Sequence, residues 1–364
     1  MTGTEKKDDT LLVSHPPHIR SGESVPKIMW SVVIALTPAA AYSVYLFGHR
    51  AALLIGTAVV SAVVAEAAMR LLLRRQVTVL DGSAVITGLL LGMNVPPGAP
   101  WWTVAIGSFF AIIIVKQLFG GLGFNIFNPA LAARAFLMAS WPVHMTTSWH
   151  NFSETNVLSP AASNPGFPVA VYDSLTGATP LALLKAGPKI LADHGIDPVR
   201  INDIAFSPDM FLSLFIGNRG GCVGETSVLL LLAGAVFLLA RKVITWHVPV
   251  SFIGVAAALA AAHAALTGNP APHLVALFHV LSGGLVLGAF FMATDMVTSP
   301  VSRKGMLLFG AGCGLIAFVI RTWGGYPEGV SYSILIMNAF VPLIDRYMKP
   351  KVFGASKRRR GAGA

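Results

Sequence analysis

Apolar residues in this chain come in long, nearly unbroken runs rather than with the alternation of a half-buried strand. The runs fall at roughly 28–48, 51–72, 79–95, 101–119, 127–143, 225–241, 246–267, 273–294, 305–322 and 328–345. Short polar connections separate them. A helix needs ~20 apolar residues to cross the hydrocarbon core of a bilayer, so most of these runs predict membrane-spanning helices. The third and fifth are short and interrupted by Gly and Pro, which predicts broken helices. The first run begins too late and continues too long for a cleavable leader. The expected fold is all-α and polytopic, with about ten transmembrane helices. Its divisions are a cytoplasmic N-terminal segment (1–27), a first membrane repeat (28–143), a long outer segment (144–224), a second membrane repeat (225–347) and a basic tail (348–364).

Composition agrees with the pattern. Hydrophobic residues make up 54% of the 364, charged residues only 12%, and mean hydropathy is +0.69. A water-soluble domain of this size could not bury so much apolar surface, and the same arithmetic excludes disordered, collagenous and coiled-coil classes. The net charge of +10 would suit nucleic acid only if the basic residues shared one soluble face. Instead Arg70, Arg74, Arg75, Lys116, Arg241, Lys242, Arg303, Lys304 and the tail Lys357–Arg360 recur at alternate connections. That is the positive-inside pattern, which places both termini in the cytoplasm and segment 144–224 on the outer side. Cys222 and Cys313 are too few and too far apart for a metal framework.

Five runs precede the long segment and five follow it, so the second half enters the membrane from the opposite face. Gly120-Gly121 and Gly324-Gly325 each lead, at the same spacing, to an Ala-Phe pair (Ala135-Phe136 and Ala339-Phe340), and each follows a basic residue, Lys116 or Arg321. Gly88 to Asn94, before Pro96, resembles Gly288 to Thr294, before Asp295 and Pro300. These matches predict inverted repeats, an arrangement that places transporter sites at broken helices near the repeat interface.

The strongest local signal is Asp173-Ser-Leu-Thr-Gly177-Ala178-Thr179-Pro180. Read structurally, Thr179 is a helix N-cap and Pro180 the first helical residue. The run also resembles the flavinylation motif, Asp-x-x-Ser/Thr-Gly-Ala-Thr, in membrane subunits of the Rnf and Na⁺-NQR redox complexes. Further runs are similar to the same family: Phe119 to Phe136 with Asn125 and Asn128-Pro129, Gly224-Glu225-Thr226-Ser227, Ala293 to Gly305, Gly324 to Gly329 and Met337 to Asp345. Together they cover nearly all of 28–347, and the short polar N-terminus favours the Rnf branch.

The resemblance implies that Thr179 carries FMN as a phosphoester, attached by a flavin transferase that reads Asp173, Gly177 and Ala178. A helix start suits a phosphodiester, because its free N–H groups and dipole favour an anion. It further implies a non-covalent riboflavin against Asn125 and Asn128, which on the residues alone read as helix-capping amides. It implies the other Rnf subunits (A, B, C, E and G) as partners, a bacterial inner membrane, and ferredoxin or NADH chemistry coupled to Na⁺ or H⁺ translocation. On the charge-derived topology an electron passing between the two flavins crosses much of the bilayer. Gly324 and Gly325 would open a matching break on the outer side, near the covalent flavin.

Glu66, Arg134, His279 and Asp295 are ionisable groups in or beside apolar runs, which marks Glu66, Arg134 and Asp295 as ion-pathway candidates, with mutual pairing or solvation as the plainer reading. No Walker or nicotinamide fingerprint occurs, so those chemistries would belong to partners. A non-redox channel or transporter, and a scaffold with unused motifs, are the competing functions, and flavin content separates them from the first.

Overall fold

The computed structural model describes residues 23–76, 78–146, 179–182, 184–185, 192, 205–217, 221–325 and 329–349. Asp173, Gly177, Ala178, most of segment 144–224, nearly all of the N-terminal segment and the basic tail lie outside the described residues. The described chain is helical throughout, with no strand among the described residues.

The first half comprises α1 (Val25–Phe47), α2 (His49–Leu72), α3 (Ser83–Met93), α4 (Trp101–Phe109), which widens into a π-helical stretch over Phe110–Gln117, and α5 (Pro129–Ser140), followed by the short α6 (Pro142–Thr146). A short α7 (Pro208–Ile216) leads into the second half. That half holds α8 (Val228–Ala240), α9 (His247–Leu266), α10 (Pro272–Leu281), α11 (Leu285–Leu287) with a π turn over Gly288–Met292, α12 (Arg303–Trp323) and α13 (Val330–Tyr347). Helices α1, α2, α9 and α12 are each long and apolar enough to cross a membrane. The eighth apolar run is not one helix: α10 and Leu285–Met292 meet at a 64° bend and together make a broken span. Ser282-Gly283-Gly284 is the cause. Its apolar flanks read as continuous in sequence, but Gly283 and Gly284 both adopt φ +65°, which a helix cannot contain. Helix α3 starts the same way, on Gly82 at φ +81°.

The two halves pack alike. Helix α2 packs on α3 and α4, and α9 packs on α10 and α12. Between the halves, α1 meets α8 and α5 meets α13, each an element against its own counterpart. Like elements of the two halves therefore lie against each other.

Lipid tails offer no hydrophobic drive for helices to associate, so close approach rests on small residues. Gly310 and Gly314 lie one turn apart on α12, and a Cβ on either would stand 2.6 Å from the carbonyl oxygen of Val248 or Phe252 on α9. Gly88 on α3 meets α2 in the same way, 2.6 Å from the Ala58 carbonyl. Gly314→Leu should therefore force α9 and α12 apart, at a cost of about 1–3 kcal/mol or more. Gly254, on the exposed side of α9 with no atom within 4 Å of a built Cβ, is the control. Thermal unfolding of the detergent-solubilised protein should show a large drop for Gly314→Leu and almost none for Gly254→Leu.

Candidate functional site

Three polar clusters interrupt the apolar interior. The first joins α2, α3 and the π stretch. Glu66 is fully buried, and both its carboxylate oxygens accept from Lys116 Nζ, at 3.0 and 2.9 Å. Gln117 Nε2 donates to the same carboxylate at 3.0 Å, and Arg70 approaches it at 3.6 Å. Lys116 also donates to Ser83 Oγ at 2.7 Å, at the start of the broken helix α3. The π stretch brings consecutive Lys116 and Gln117 to one carboxylate, a use of helix widening seen often at functional sites. Glu66 is thus one half of a satisfied buried pair.

The second cluster lies where the halves meet. Arg134 on α5 donates to Asn94 Oδ1 at 2.9 Å and to Ser331 Oγ on α13 at 3.0 Å. It reaches Cys222 Sγ at 3.5 Å and stands 3.9 Å from Glu225. Asn94 Nδ2 donates to Met292 Sδ at 3.3 Å, and Asn128 Nδ2 to the Met292 carbonyl at 3.2 Å. Arg134 therefore links the C-terminal end of the first broken helix to the start of α13. Glu225 extends the cluster outward, since a Cβ on Gly284 would collide with its carboxylate.

The third feature is a cavity with about 820 Å³ of empty space, its open mouth included. Asn125, Asn128, Lys116, Ser83, Thr87, Thr294 and Asp295 supply its polar lining, and Met29, Leu90, Leu238 and Phe291 are among its apolar walls. The structure brings the Asn pair together here. Asn125 Nδ2 donates to the Phe127 carbonyl at 3.0 Å. Asn128 caps α5, its Oδ1 accepting from Ala130 and Leu131 N–H at 3.1 and 3.4 Å. Asp295 is half-buried and accepts from Val297 N–H at 3.3 Å and Thr298 Oγ1 at 3.1 Å, so its carboxylate organises the turn at the cavity wall.

Thr179 lies elsewhere. It is 5% exposed, and its hydroxyl accepts from Ala182 N–H at 3.2 Å, which is the cap geometry expected from the sequence. Farther along the same run, Lys185 Nζ donates to the Arg321 carbonyl at 3.2 Å and to that of Gly324, at the end of α12. The cavity is beside the other end of α12: Val243, Ile244 and Val297 line it, and Thr245 donates to Met306 in the first turn of α12. The 21 residues of α12 span about 30 Å, a bilayer core, so the cavity and the Thr179 run face opposite ends of the protein.

Arg321 holds the break between α10 and α11. Its guanidinium donates to the carbonyls of His279 (2.6 Å), Ser282 (3.0 Å) and Gly283 (2.8 Å). Lys116 is tethered at the start of α3 and Arg321 at the end of α10, so each half has a buried cation at a helix end. The basic residue before each Gly-Gly pair was the visible signal of this. The roles of Lys185, Cys222 and Glu225 had no comparable signal, because their partners lie far away in sequence.

Comparison with known proteins covers most of the chain. Residues 12–354 match the model of the NQR2, RnfD, RnfE family. The chain is 45% identical to the D subunit of the Na⁺-translocating ferredoxin:NAD⁺ oxidoreductase complex of Acetobacterium woodii, over 97% of this chain and 98% of that one. It is equally 45% identical to the D subunit of the proton-translocating ferredoxin:NAD⁺ oxidoreductase complex of Clostridium ljungdahlii, over 98% and 100%. Identity to the D subunit of the ion-translocating oxidoreductase complex of Stutzerimonas stutzeri is 43%, over 92% and 94%. A family match over most of the chain and relatives at this identity over nearly their whole length place the protein in the NQR2, RnfD, RnfE family.

Proposed function

We propose that this chain is the flavin-carrying membrane subunit of an Rnf-type ion-translocating oxidoreductase, with FMN esterified to Thr179 and a riboflavin in the cavity beside Asn125 and Asn128. The observation that carries the reading is the motif Asp173 to Thr179, whose final hydroxyl caps a helical run docked at the break of the second repeat. The relatives' names supply the complex: ferredoxin:NAD⁺ oxidoreductases that translocate an ion. Their equal identity to this chain leaves Na⁺ and H⁺ both open as the coupling ion.

The residues present suit the groups. Thr179 offers the hydroxyl an ester needs. The cavity has a few polar groups facing apolar walls, the pattern of small-molecule sites. Flavins supply the electron chemistry, and the protein supplies position and electrostatics. Asn125 and Asn128 offer amides to the polar edge of a ring, and Lys116, bound to Glu66 and Ser83, forms part of the lining. The short-loop basic residues support cytoplasmic termini and a periplasmic Thr179 in a bacterial inner membrane. Ferredoxin and NAD⁺ sites belong to the partner subunits, and the flavin transferase is needed for maturation.

Mass spectrometry of the peptide containing Thr179, from membranes made with and without the transferase, tests the reading. An FMN adduct should appear only with the transferase, and an unmodified peptide in both preparations would reject it. For the cavity, Asn125→Leu should lower extractable riboflavin several-fold and leave the covalent flavin untouched. Asn128 is the less clean target, since loss of its cap adds ~1 kcal/mol of destabilisation. Equal riboflavin in the wild type and Asn125→Leu would place the second flavin elsewhere.

A further inference from the structure

The run after Thr179 is fastened to the second repeat at two points. Leu181 and Lys185, each in a described helical turn, both reach this part of the second half. Leu181 is 3% exposed and lies against the break, where a Cβ on Gly283 would stand 3.2 Å from its Cδ2. Lys185 reaches past it to the carbonyls of Arg321 and Gly324. These are carbonyls at the C-terminal end of α12, which carries the negative end of the helix dipole. Arg321 points its own guanidinium the other way, into the carbonyls that end α10. Two cations thus join three chain segments at one place: the end of α10, the end of α12 and the run that begins at Thr179. Burial lowers the Lys185 pKa from the usual lysine value, as expected for an ammonium drawn out of water.

We infer that Lys185 is a positioning residue: it clamps the flavin-bearing run onto the broken helix of the second repeat and so fixes the covalent flavin relative to the membrane. The inference rests on the reading of Thr179 as the attachment site. Lys185 lies beyond the motif that the transferase reads, so attachment and clamping are separable. A clamp is also what long-range electron transfer needs, because a tethered group on a loose run samples many distances to its partner. Lysine suits the position by its long stem and three donors, which serve two carbonyls at once.

The test compares the full chain, made with the transferase and purified in detergent, as wild type, Lys185→Met and Lys185→Arg. Lys185→Met should keep FMN on the Thr179 peptide at wild-type stoichiometry. Its covalent flavin should show lower fluorescence anisotropy and roughly two-fold or greater quenching by iodide, the signs of a run released on the nanosecond scale. Lys185→Arg should restore both toward wild type. Leu181→Ala, which removes the apolar anchor, should give the same change and serves if Lys185→Met fails to fold. Unchanged anisotropy and quenching in a fully flavinylated Lys185→Met would overturn the clamp. Loss of FMN from Lys185→Met alone would also overturn it, by assigning Lys185 to the transferase. Absence of FMN from the wild type would instead reject the attachment reading.

Discussion

Glu66→Gln should be among the most damaging single substitutions in the membrane interior. Lys116 is 2% exposed, and its ammonium sits between the Glu66 carboxylate and Ser83 Oγ. Glutamine keeps the shape of the Glu66 side chain but removes its charge, and with it the carboxylate that balances this buried ammonium. Breaking one side of a buried pair costs about 3–5 kcal/mol, a large share of the stability of any fold. Replacing both partners by apolar groups of similar volume is often neutral, because the desolvation penalty leaves with the charges. The expected order of stability is therefore wild type close to Glu66→Met/Lys116→Met, with Glu66→Gln and Lys116→Met alone far below. Fluorescence-detected size exclusion after a heating series reads this directly. A double variant as unstable as the singles would mean that the pair does more than satisfy itself. Its hydrogen bonds to Gln117 and Ser83 would then be holding α2, α3 and the π stretch together beyond the balance of charge.

The same pair shows where sequence reasoning stops. Length and hydropathy located nearly every apolar run, because a bilayer imposes one simple requirement on each segment. They could not see the 64° bend at Ser282-Gly283-Gly284, since hydropathy is blind to backbone angle. A similarity between the halves was legible as spacing: Lys116 and Arg321 each precede a Gly-Gly pair. What each cation holds was not legible. Lys116 reaches back to α2 and α3, and Arg321 to the end of α10, and those contacts exist only after the helices pack. Arg134 was legible as an oddity in an apolar helix, but its partners Asn94, Cys222, Glu225 and Ser331 come from widely separated parts of the chain. Thr179 is the contrary case. Its cap was readable because both the hydroxyl and its partner N–H lie within one turn. The Asn125 and Asn128 pair falls between: capping was local and visible, whereas the cavity they line needs walls from both halves.

Thr179→Val should abolish the covalent flavin outright while sparing the fold. Valine matches threonine in shape, so the 5%-exposed position is filled without a cavity or a clash. What disappears is one oxygen, and with it the only atom of this side chain able to form an ester with a phosphate. The loss of the cap to Ala182 N–H costs about 0.5–2 kcal/mol, too little to unfold a protein of this size. Denatured chain on a gel should therefore fluoresce as flavin for the wild type and remain dark for Thr179→Val, at equal expression. Thr179→Ser is the informative intermediate, because it retains both the oxygen and the cap and asks only whether the transferase needs the methyl group. Extractable riboflavin should be unchanged in Thr179→Val, since the cavity faces the other end of α12. Membrane vesicles bearing Thr179→Val should lose redox-driven ion uptake while the complex remains assembled. Flavin fluorescence surviving in Thr179→Val would reject the site; ion uptake surviving without covalent flavin would keep the site and remove it from the coupling path.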